Sequence, residues 1–84
     1  MLGMMHELED VLSVKKFVED YLAKFYNEKP LVLDLVKAIK TSNMWDLSVR
    51  AKFKDREYGL AIHVDALRRV TTGHAITSVA RGRP

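Results

Sequence analysis

The 84-residue chain has no cysteine, which removes disulfides, thiolate catalysis and cysteine-based zinc sites together and is compatible with a reducing compartment. It has two prolines and four glycines, and no internal repeat, linker or low-complexity segment divides it. No apolar run approaches the roughly 18 residues that a membrane-spanning helix needs. The opening MLGMMHELED carries no basic n-region and no apolar stretch long enough for export. The expectation is a cytoplasmic protein without a membrane partner. Acidic residues are missing as well from Ala66 onward, where four arginines stand unopposed.

The chain carries 48% hydrophobic and 30% charged residues. At this length they build one domain over residues 1–84, with 1–5 and 81–84 expected to fray. Domains of this size bury only about 60 to 65% of the surface exposed by their unfolded chains, so association that covers more apolar area stabilises them. A homodimer is therefore expected. The net charge of +3 is unevenly spread: residues 1–42 carry six lysines against seven acids, and residues 43–84 carry eight basic residues against four acids. Such a basic end attracts polyanions without reading their sequence.

HELEDVLSVKKFVEDYLAKFYN spaces Val14, Phe17, Val18, Tyr21, Leu22 and Phe25 on one helical face, with Lys15, Lys16, Glu19, Asp20 and Lys24 opposite. Leu8, Val11 and Leu12 extend the stripe backwards, Ser13 is an alternative N-cap, and Asn27 and Pro30 end the helix. PLVLDLVKAIK fits two templates. Val32, Leu35, Val36 and Ile39 suit a helix, whereas Leu31, Leu33 and Leu35 suit one face of a strand. The tight turn read in TSN favours the strand.

WDLSVRAKFKDREYGLAIHV alternates Trp45, Leu47, Val49, Ala51 and Phe53 with polar residues, then resumes with Tyr58, Leu60, Ile62 and Val64. This is a β-hairpin. With Asp55 and Arg56 as its loop, Lys54 faces Glu57, Phe53 faces Tyr58, Val49 faces Ile62 and Leu47 faces Val64; a longer loop would shift that pairing. Ala66 and Leu67 break the alternation, Gly73 suits a turn, and a last short strand is expected over roughly 75–80.

The expected class is α+β, one long N-terminal amphipathic helix packed on a three- to four-stranded antiparallel β-meander. This order resembles the cystatin-like architecture. Fold alone does not fix function.

The hairpin's polar face places Ser48 opposite His63 and Asp46 opposite Asp65 in that register, a composition that invites hydrolytic or metal chemistry. A serine nucleophile also needs an oxyanion hole and a pocket that excludes water, and an open sheet face offers neither. There is no HxH or HExxH to ligate a metal. The expectation is a protein that is not an enzyme and has no cofactor or metal. Its function is then that of a protein-interaction or assembly module acting as a homodimer. The alternative is a non-specific nucleic-acid binder whose polyanion contacts are Arg50, Lys52, Arg68, Arg69, Arg81 and Arg83. Trp45, Phe53 and Tyr58 fall on the apolar face of the hairpin, so bases have no exposed aromatic to stack on.

Overall fold

A computed structural model describes residues 10–81. The expected fraying of 1–5, the helical role of Leu8 and the polyanion contact at Arg83 lie outside the described residues, as do 82–84.

Helix α1 spans Val11–Phe25. Asp10, not Ser13, is its N-cap: its extended backbone turns the carboxylate onto the Ser13 amide at 2.8 Å, and accepting that bond holds the carboxyl below its ordinary range. At the other end Asn27 adopts a left-handed φ of 55°, and the Glu28 amide donates to the Ala23 carbonyl, which closes the last turn. Pro30 follows, and the chain becomes extended.

Four strands succeed the helix, β1 Val32–Thr41, β2 Met44–Lys52, β3 Arg56–Asp65 and β4 Val70–Arg81, paired antiparallel in the order of the sequence. The α+β meander is thus as read from the sequence, and residues 32–41 are strand rather than helix. Ser42 and Asn43 make the tight turn into β2. Of the leucines assigned to one face of β1, Leu33 is buried and Leu35 half-buried, but Leu31 precedes the strand and is exposed.

The hairpin register differs from the expectation by two residues. Trp45 faces Val64, Leu47 faces Ile62, Val49 faces Leu60 and Lys52 faces Glu57. The even shift keeps every apolar side chain on the core face. Its cause is Arg56, which belongs to β3 and not to the loop. The Phe53 amide donates to the Arg56 carbonyl at 2.7 Å, leaving Lys54 and Asp55 as the turn. The Arg56 guanidinium lies 4.5 Å from the Phe53 ring centre and donates to the Tyr58 hydroxyl, Glu28 and Asp55.

Gly73 is not in a turn but inside β4, which runs twelve residues from Val70 to Arg81. The turn lies earlier. The Asp65 carboxylate accepts from the Leu67 and Arg68 amides, and Arg69 takes a left-handed φ of 58°.

The core lies between one sheet face and the stripe Val14, Val18 and Leu22, all fully buried. Trp45, Leu47, Val49, Ala51, Leu60, Ile62 and Val64 of the two inner strands meet it, together with Phe53 at the start of their turn. Phe17 and Tyr21 flank the stripe, whereas Phe25, read as part of it, is 59% exposed.

Candidate interaction edge and the open sheet face

The shifted register dissolves the polar constellation read from the sequence. Asp46 now faces His63, with Oδ1 and Nε2 3.0 Å apart on the solvent side. Ser48 faces Ala61, and Asp65 is committed to its turn. Among the described residues no group of three His, Asp or Glu side chains is placed to hold a metal ion.

The basic residues do not form one patch. Arg68 and Arg69 sit in the β3–β4 turn, at the opposite end of the sheet from Arg81, which pairs with Arg56. Arg50 is engaged by Glu57 at 3.2 Å and Arg68 weakly by Asp65. Around Arg81, a shallow depression is lined by Lys52, Lys54, Arg56 and Arg81 together with Glu57. Trp45 and Phe53 are buried and Tyr58 is half-buried, on the core face as expected.

A cluster that the sequence reading missed ties the helix end to β4. His74 Nδ1 lies 2.7 Å from the Tyr21 hydroxyl and Nε2 3.1 Å from the Tyr26 hydroxyl, so one ring nitrogen donates and the other accepts. Desolvation lowers the His74 pKa and raises those of both phenols, which keeps all three neutral near pH 7. Tyr26 stacks on Tyr58, and Phe25 covers His74 with ring centres 4.5 Å apart. Both polar atoms of the imidazole are occupied by phenols, so the cluster acts as a strut. The available signal was the pair of tyrosines at the helix end, unreadable without knowing that His74 lies on the core face.

The outer edge of β4 is the distinctive surface. From Val70 to Ala80 it reads VTTGHAITSVA, without a charge or a proline, and Val70, Ile76 and Val79 are 47, 51 and 58% exposed. Edge strands present a row of backbone donors and acceptors that another strand can pair with. Two one-residue irregularities, at Thr72 and Thr77, interrupt its pairing with β3. At the second, Thr77 and Ser78 both lie over Gly59, where a Cβ would collide with the Ser78 hydroxyl.

No family model matches the chain, and neither a curated protein nor a solved structure matches it. No described helix is long and apolar enough to cross a membrane.

Proposed function

We propose that this chain is a small non-enzymatic assembly module that works as a homodimer, with the outer edge of β4 as its contact surface. One observation carries the reading: the uncharged run Val70 to Ala80 lies on a sheet edge and leaves Val70, Ile76 and Val79 exposed. Sheet edges in proteins that stay monomeric are commonly guarded by charge, proline or cover. Limited size supports the same reading, because a second copy adds buried apolar area. The test is sedimentation equilibrium together with thermal melts over a hundredfold range of protein concentration, with a dimer and a rising Tm as the expected results. A monomer at high micromolar concentration overturns the proposal.

A second reading, non-specific polyanion binding, draws on Lys52, Lys54, Arg56 and Arg81 around the depression at the hairpin end. The far location of Arg68 and Arg69 confines this reading to one end of the sheet. Replacing Lys52 and Arg81 by Ala is expected to weaken binding equally across nucleic-acid sequences and to reduce the salt slope by up to about two units. Binding measured from low to moderate salt checks it.

A further inference from the structure

Resting on the homodimer reading, we infer the geometry of the contact: β4 pairs antiparallel with the β4 of a second copy about a two-fold axis through Ala75, joining two meanders into one continuous sheet. Three features of the strand select this register independently.

The first is charge. Antiparallel pairing of a strand with its own copy maps each residue onto another by reflection through the centre. Ala75 is the midpoint of the uncharged run, so centring there pairs Val70 with Ala80 of the second copy and keeps the whole run within the contact. Any shifted register moves a charged flank, Arg69 or Arg81, opposite the apolar run. In the centred register these two arginines meet only at the rim, where solvent screens them.

The second is face. A two-fold axis perpendicular to the sheet matches core-facing residues to core-facing residues. His74 and Ile76 pair with the core-facing Ile62 and Leu60 of β3, and Thr71 and Val79 pair with Val64 and Tyr58, so all four share that face. Ala75, Val70 and Ala80 pair with Ala61, Asp65 and Glu57 on the open face. Centring at Ala75 sets His74 against Ile76 of the second copy, Thr71 against Val79, Val70 against Ala80 and Ala75 against itself, each within its own face. A one-residue shift breaks this at every ordinary position.

The third is the irregularities. Bulges at a sheet edge normally obstruct pairing by twisting the strand away. In this register Thr72 and Gly73 on one strand face Ser78 and Thr77 on the other, so each irregular site meets the other instead of interrupting a regular partner.

The same axis accounts for the exposed end of α1. Phe25 rests on His74, one residue from the axis, and on the core side of the sheet. The two-fold brings Phe25 and Ile76 of both copies together on that side. These side chains, 59 and 51% exposed in the single chain, form an apolar patch that lies across the seam.

The absence of cysteine permits a clean test. Ala75→Cys introduces one thiol per chain, and in the inferred register it faces its own copy at the Cα separation that a disulfide spans, about 4.4 to 6.8 Å. Mild oxidation is expected to convert most of this variant into a covalent dimer on a non-reducing gel. Val70→Cys, on the same strand and face, is expected to stay largely uncrosslinked because its own copy lies some ten residues of strand away, roughly 33 Å. Val36→Cys reports on pairing through β1. Crosslinking of Val70→Cys as strong as that of Ala75→Cys, or of Val36→Cys alone, overturns the register. Sedimentation of the unsubstituted chain separates the two levels. A dimer whose Ala75→Cys form does not crosslink removes this geometry and leaves the homodimer, whereas a monomer removes both.

Discussion

The two edges of the sheet are built from opposite chemistry. β1 presents Asp34, Lys37 and Lys40 within ten residues and bulges at Val36, so an approaching strand meets charge and a bend. β4 offers eleven residues without charge between Arg69 and Arg81. Both edges carry irregular pairing while β2 and β3 pair without interruption. A bulge alone therefore does not distinguish a guarded edge from an available one. The distribution of charge does, and it makes β4 the side on which a second chain is accommodated at least cost.

The largest expected effect tests the frame that both edges share. Ile62 is fully buried beneath the helix stripe and pairs with Leu47 on one side and His74 on the other. Ile62→Ala is expected to cost about 2 to 4 kcal/mol, read from the urea midpoint at fixed protein concentration. A midpoint unchanged within error removes the packing from which the edges were assigned.

Next in size is the direct contrast of the edges. Ile76→Lys on β4 is expected to abolish the concentration dependence of Tm, which in the dimer corresponds to roughly 1.4 kcal/mol for each tenfold rise in protein. Val36→Lys, at an exposed position of β1, is expected to preserve it. If both substitutions act alike, or if Val36→Lys alone abolishes the dependence, the assignment of the available edge is wrong.

A smaller effect separates folding from association. Asp10 caps the helix at the end remote from Phe25, and Asp10→Ala removes the acceptor for the Ser13 amide. A loss of about 1 kcal/mol in stability is expected, with the slope of Tm against concentration retained. A changed slope means that the helix start also takes part in the contact.

The order of one helix before an antiparallel meander, and the core face of the central hairpin, are legible in the sequence, because period-two alternation from Trp45 to Phe53 survives any even change of register. The register itself is not. Asp55 and Arg56 read as a loop by polarity, whereas the Arg56 carbonyl accepts from the Phe53 amide and its guanidinium lies against the rings of Phe53 and Tyr58, which makes Arg56 a strand residue. The Asp46–His63 contact follows from that two-residue shift and was hidden with it. Gly73 departs from its expected turn for a related reason. Glycine marks a turn when a left-handed backbone is required, yet here the left-handed residue is Arg69 and the turn is stabilised by Asp65. The charge asymmetry was visible in the composition, but only strand order reveals that its uncharged interior is an edge.

The smallest expected effect concerns the imidazole that links the helix to β4. His74 is desolvated between Tyr21 and Tyr26, with Phe25 over its ring, and its pKa in the folded chain lies below the 6.5 of an unfolded one. As pH falls through about 6.5, the unfolded chain takes up a proton that the folded chain resists, so stability declines; above that pH the two states bind the same number of protons at this site and the contribution is flat. The decline ends once pH drops below the folded-state pKa. His74→Gln retains a side chain that can donate and accept but does not titrate. The expected outcome is that urea midpoints at pH 7.5 and 5.5 differ less in His74→Gln than in the unsubstituted chain, with the other titrating groups cancelling in the comparison. An identical pH dependence in the two proteins means that protonation of His74 is not resisted, and the phenol-bound strut then has no claim on how β4 is held.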